Sequence, residues 1–139
     1  MNWIIFALLS AVFAAAVAIF GKLGVSKLDT TLATTVRSVI MAVFLVVVSL
    51  ILGKSKLLST IDNKALLYIM LSGIAGALSW LFYFVALQKG PASGVAALDR
   101  LSVVFVFILA LLFLGEHFTW KSGIGVGFIA LGAILMTLK

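Results

Sequence analysis

Apolar residues fill this chain in five long runs separated by short polar clusters, a rhythm that predicts membrane-crossing helices instead of the faces of a soluble fold. The first run covers residues 3–20 and ends at Gly21-Lys22-Leu23-Gly24. The second covers 31–52 and ends at Gly53-Lys54. The longest polar connection follows at 54–64, with Lys56, Asp62 and Asn63. A third run covers 65–87 and closes at Gln88-Lys89-Gly90-Pro91. The fourth covers 92–114 and closes at Gly115-Glu116-His117, and the fifth covers 122–138 and ends on Lys139. The expected fold class is therefore an all-α membrane protein of five transmembrane helices, read as a single domain over residues 1–139. The first run lacks a basic leader and is longer than a usual signal core, so it is read as a spanning helix.

An odd number of spans puts the two termini on opposite sides of the membrane. That matters because many secondary transporters are built from two inverted copies of one helical unit, and an odd-numbered unit inverts when a second copy follows it. Only one copy is read here, so a transporter built from this chain is expected to take its second copy from another chain.

Composition supports the membrane reading: 65% of residues are hydrophobic and 10% charged, against about one-quarter charged in a soluble domain. Cysteine is absent, which removes disulfides and thiolate metal sites, and the single histidine, His117, has no partner at ligand spacing. No metal or cofactor is expected, and no enzymatic chemistry. The formal charge of +6 is spread through the connections without a basic stripe, so it signals topology and not a nucleic-acid partner. One side of the membrane carries Lys54, Lys56, Lys64 and Lys121. The other carries Lys22, Lys27, Lys89 and Lys139, with Arg37 and Arg100 reaching deeper. The lysines are four against four and the two arginines tilt the count modestly, a near-balance that suits a chain inserting in both orientations.

Three ionisable residues interrupt the apolar runs: Arg37 in the second, and Asp99 with Arg100 in the fourth. Each lies roughly 12 Å in from its helix end at 1.5 Å per residue, on the same side, so the three are expected at similar depth and close enough to pair. A charge at that depth costs about 2.5 to 3.5 kcal/mol on insertion scales and normally faces protein or water. Two readings follow, and they are compatible. An Asp99–Arg37 ion pair fixes packing while Arg100 snorkels outward, or the cluster lines a substrate or ion path in which Asp99 exchanges a proton and arginine holds an anionic group. Thr31, Thr34, Thr35 and Ser38 surround Arg37, and Ser102 follows Asp99. Ser72, Gly76, Ser79 and Tyr83 form a small and polar stripe in the third run, with Trp80 beside it. The stripe reads as a lining or as a close helix seam. Glu116, at the opposite end of the fourth run, reads as a solvated helix end that can pair with Lys121.

Small residues mark the seams. Ser10, Ala14, Ala18 and Gly21 share one face of the first run. In the fifth, Gly123 and Gly127 stand in GxxxG spacing, and Gly125 and Gly132 are seven apart, returning to one face after two turns. Either row suits packing within the monomer or across a dimer.

The run Trp80-Leu81-Phe82-Tyr83-Phe84-Val85-Ala86-Leu87-Gln88-Lys89-Gly90, followed by Ala92-Ser93-Gly94-Val95-Ala96-Ala97-Leu98, resembles the end of the third helix and start of the fourth in EamA-type domains of the drug/metabolite transporter superfamily. Leu111-Leu112-Phe113-Leu114-Gly115-Glu116, then Gly123 to Gly132 with Ala133-Ile134-Leu135, resembles that family's Gly-Glu helix end and glycine-rich last helix. The chain is similar in length and span count to one whole EamA unit, where most members carry two in tandem. Many members have a proline in helix four where this chain reads Leu98-Asp99-Arg100-Leu101-Ser102. The Gly125 and Gly132 spacing is also similar to the dimer-forming last helix of the small multidrug resistance transporters, whose essential glutamate in the first helix has no counterpart here.

The resemblance implies a multi-pass protein of the inner membrane that exports amino acids or other small metabolites by alternating access. With one unit per chain, the expected working form is an antiparallel homodimer in the lipid bilayer. Its substrate or ion site would involve Arg37, Asp99, Arg100 and Ser102, lined by Trp80 and Tyr83, with Gly123, Gly125, Gly127 and Gly132 in helix packing. A passive facilitator and a non-transporting structural subunit are the competing readings.

Overall fold

The computed structural model describes residues 2–138, and these form six α-helices without a strand. They are α1 (Asn2–Gly24), α2 (Thr30–Ile51), α3 (Asn63–Lys89), α4 (Ala92–Asp99), α5 (Ser102–Phe113) and α6 (Trp120–Leu135), with a 3₁₀ segment at Lys54–Thr60 between α2 and α3. Four stretches are long and apolar enough to cross a membrane: Trp3–Gly24, Thr30–Ile51, Asn63–Lys89 and Ala92–Phe113.

The expectation of five continuous spanning helices holds in its coarser form only. The fourth run is divided into α4 and α5 around Arg100 and Leu101. The fifth yields the 16-residue α6, roughly 24 Å at 1.5 Å per residue against a hydrocarbon core of about 30 Å. The connection at 54–64 contains a 3₁₀ turn where the sequence suggested only a polar link. Lys139, assigned to the end of the fifth span and to the basic count, lies outside the described residues.

Local chemistry sets the helix ends. Asp29 holds extended backbone before α2, and its Oδ1 accepts the Leu32 N–H at 2.9 Å, satisfying an amide that the first turn would otherwise leave open. Thr119 does the same for α6 by accepting from the Ser122 N–H at 3.2 Å. At the far end of α5, Gly115 takes φ 65°, the left-handed conformation that closes a helix at little cost only without a Cβ. The Glu116 N–H then turns back to the Ala110 carbonyl at 3.3 Å.

The chain divides into two compact units, residues up to Lys22 with those from Lys89 onward, and Leu23–Gln88. In the first unit, α6 packs against both α4 and α5. Its buried positions are small, Ala18, Gly94, Ala110 and Ala133, which is how apolar helices approach closely without a solvent driving force. Gly94 shows how tightly: a Cβ there would stand 3.3 Å from the Pro91 ring and 3.8 Å from the Met136 carbonyl. Lys22 caps the chain end of α3 in the same unit, donating from Nζ to the Gly90 carbonyl at 2.8 Å.

In the second unit, Val25, Thr30, Thr34, Phe84 and Leu87 are buried. Gln88 Nε2 donates to the carbonyls of Val25 at 3.3 Å and Leu28 at 3.1 Å, fastening the turn between α1 and α2 to the end of α3. Most other large apolar side chains are exposed on the isolated chain, as lipid-facing side chains are.

Replacing Gly115 by Ala is expected to lower unfolding stability in detergent by about 1 to 2 kcal/mol, the cost of a Cβ in the left-handed region. Gly73→Ala, in the middle of α3 with open space around it, is the control and should be neutral or stabilising. Equal effects at the two positions would contradict this account of the α5 terminus.

Candidate functional site

Two polar centres interrupt the apolar spans, one in each unit. In the second unit, α2 carries Thr30, Thr31, Thr34, Thr35 and Ser38 along successive turns. Three of these hydroxyls donate back along the helix: Thr34 Oγ1 to the Thr30 carbonyl at 2.7 Å, Thr35 Oγ1 to Thr31 at 2.8 Å, and Ser38 Oγ to Thr34 at 2.8 Å. The back-bonding hides the hydroxyl protons from hydrocarbon. What remains on each oxygen is acceptor capacity. Thr34, Thr35 and Ser38 line a recess of about 370 Å³ with Val39 and Ala42, and α3 closes it with Ala77 and Leu81.

Arg37 stands on the same helix, part-buried. Its guanidinium carbon lies 3.7 Å from the centroid of the Trp80 ring and 5.7 Å from that of Phe84. A delocalised cation over an aromatic face gains electrostatic attraction while keeping its N–H groups free at the edge of the plane. The rings hold one another: Trp80 meets Tyr83 edge-on at 5.4 Å and 79°, and Phe84 at 6.0 Å and 66°. Positions 80, 83 and 84 share one face of α3, so a single helix turn presents the whole aromatic platform to Arg37.

The second centre is the division of the fourth span. The amides of Arg100, Leu101, Val103 and Val104 bond to carbonyls three residues back, at 3.1, 2.9, 3.0 and 2.9 Å, where a regular α-helix would reach back four. Neither proline nor glycine stands there. Asp99 closes α4, Arg100 and Leu101 form the tight turn, and Ser102 opens α5. The side chains of Asp99, Arg100 and Ser102 are all exposed. The turn keeps right-handed helical dihedrals, φ −67° and ψ −12° at Arg100 and φ −61° and ψ −18° at Leu101, so the two helices meet at a tightened turn whose amides stay bonded.

The structure thus brings Arg37 and Trp80 together within one unit, and puts Asp99, Arg100 and Ser102 on one helix break in the other. Tyr83 supports the platform at its edge. Of the third-run stripe, Ser72, Gly76, Ser79 and Tyr83 are absent from the recess wall, which uses Ala77 and Leu81. Sequence reasoning missed Phe84 as a second ring under Arg37, although its position one after Tyr83 and four after Trp80 was the available signal.

In α6 the glycines differ. A Cβ on Gly123 would stand 3.0 Å from two atoms of the Phe118 ring, so this glycine is occupied by its own unit. Gly125, Gly127 and Gly132 have open space where a Cβ would go. No group of three or more metal-ligating side chains comes together among the described residues.

Residues 1–138 match the sequence model of the EamA-like transporter family. The chain is similar to an uncharacterized transporter in the cobO 3'region of a Sinorhizobium species, 42% identical over 137 residues that cover 99% of this chain and 97% of that one. It is also similar to an uncharacterized protein of Methanocaldococcus jannaschii, 33% identical over 90 residues, 65% of this chain and 66% of the relative. No solved structure matches the chain.

A double-mutant cycle tests the Arg37 platform. Arg37→Met and Trp80→Leu, alone and combined, should give a coupling energy of about 1 to 2 kcal/mol in detergent unfolding, the range of a partly desolvated cation–π contact. Additive effects would contradict the contact.

Proposed function

We propose that this chain, which belongs to the EamA-like transporter family, is a secondary transporter that exports a small polar metabolite across the cell's inner membrane by alternating access. The family points to transport and not to enzymatic catalysis, and the apolar helices to a multi-pass membrane protein. In this reading α1, α2, α3, the divided Ala92–Phe113 segment and α6 are the five spans of one unit. The working transporter is an antiparallel pair of such units, with the site near the midplane where they meet.

The observation that carries the reading is the break at Asp99–Arg100–Leu101–Ser102. It sets the exposed side chains of a carboxylate, a guanidinium and a hydroxyl around a tightened helical turn inside an apolar span. Such an arrangement is costly in lipid and useful to a transporter, because it can exchange hydrogen bonds with a substrate as the site changes access.

Within Leu23–Gln88, Arg37 is a cation held against Trp80, which Tyr83 meets edge-on, and is suited to an anionic group. The hydroxyls of Thr34, Thr35 and Ser38 add acceptors for substrate N–H or O–H groups. A metabolite with both kinds of group fits these two chemistries. Asp99 is the proposed proton carrier that couples export to the gradient. Gly125 and Gly132, open on one face of α6, are suited to close packing against the second copy.

The test is transport in proteoliposomes, with a panel of radiolabelled amino acids as probes and an imposed proton gradient. The expected result is gradient-driven accumulation of at least one probe by the unmodified chain. Asp99→Asn should remove the gradient-driven accumulation of that probe. A gradient response that survives in Asp99→Asn would contradict coupling through this carboxylate, and equilibration without accumulation would make the protein a passive facilitator.

A further inference from the structure

Building on the two-copy reading above, we infer that two copies of this chain recognise each other through a reciprocal ion pair, Asp99 of each copy against Arg100 of the other. The pair is self-complementary. Under a two-fold axis, the carboxylate that meets a guanidinium in one direction guarantees the same contact in the other, so adjacent residues of opposite sign supply an isologous interface by themselves.

Three observations converge on this position. Both side chains are exposed on the isolated chain, although each lies well inside a 22-residue apolar segment. Arg37, the other cation at membrane depth, has a partner within its own unit in the Trp80 ring. The backbone at the same place tightens to bonds that reach back three residues, which keep its amides paired and set Asp99 and Arg100 at the junction of α4 and α5. One covering element therefore satisfies an exposed acid and an exposed base together. A second copy of the same turn has the required charges in the required order.

Depth agrees with the pairing. Asp99 and Arg100 lie a few residues from the middle of Ala92–Phe113, so in an inverted pair the acid of one copy and the base of the other differ in depth by roughly 9 Å at 1.5 Å per residue. The arginine stem lies along apolar surface while its head reaches the carboxylate. The open row of Gly125 and Gly132 lies on α6, which packs against both halves of the divided span.

The experiment is a charge exchange read by co-purification. Two forms of the full chain with different affinity tags are expressed together, extracted in mild detergent, and captured through one tag. Asp99→Arg makes both positions positive in every copy, and Arg100→Asp makes both negative. Each variant paired with itself should be recovered at least ~tenfold less than the unmodified pair, because like charges face each other.

Asp99→Arg co-expressed with Arg100→Asp should recover close to the unmodified level, since one copy then carries both cations and the other both carboxylates. The double exchange within one chain should also recover. Rescue of the mixed pair cannot come from an ion pair inside a single chain, because neither chain carries both signs at these positions, and a variant that merely fails to fold would not regain its partner. The inference is overturned if the mixed pair is recovered no better than the single variants, or if the single variants associate like the unmodified chain. Failure of the unmodified chain to co-purify with itself would instead remove the two-copy reading, and this inference with it.

Discussion

Hydrocarbon tolerates neither a bare charge nor an unpaired backbone amide, and that constraint organises this protein. At several points where polarity enters a span, another group within the chain answers for it. The α2 hydroxyls donate to their own helix. Arg37 lies on an aromatic face. Lys22 and Gln88 spend their donors on carbonyls at helix ends, where the ladder has run out. At Asp99 and Arg100 the chain leaves both side chains exposed, so the partner for that polarity is sought outside the monomer. The proposed second copy and the proposed site rest on the same two residues.

This division of labour also accounts for the sparse core. In a soluble domain, burial of large side chains provides most of the stability. Here the buried residues of one unit are Ala and Gly, and stability rests on close helix contact, helix-end bonds and a few charge-assisted contacts. A fold held in this way can be re-packed by exchanging a small number of polar contacts. That property suits a protein whose proposed work is to change which side of the membrane a site faces.

Much of this was legible in the chain itself. Long apolar runs specify spanning helices because only a helix satisfies its own backbone in lipid, and the polar residues that end each run stand within a few positions of the observed helix ends. Gly115 could be read as a helix stop from residue type alone, whereas the Asp29 cap shows only in the structure. The run Trp80 to Gly90 and the Gly-Glu helix end were enough to indicate the family. The break in the fourth span was not legible, because Leu98-Asp99-Arg100-Leu101-Ser102 contains neither of the residues that usually mark one. Similar depth suggested Asp99 as the partner of Arg37. The aromatic partner depends on how α2 meets α3 within Leu23–Gln88, which spacing along one helix does not report. Gly123 and Gly127 look equivalent as a GxxxG pair, yet the Phe118 ring from the preceding connection occupies only the first.

In the proposed assembly one chain is half of a transporter and meets its other half inverted. The direct measurement is sidedness: introduce Lys56→Cys into this cysteine-free chain, in the exposed 3₁₀ segment, and label intact cells with a membrane-impermeant thiol reagent before and after permeabilisation. The account predicts that comparable fractions of the protein label from each side of the membrane, as the balanced distribution of basic residues allows. Labelling entirely from one side would contradict it, since every copy would then insert the same way and no inverted pair of this chain could form.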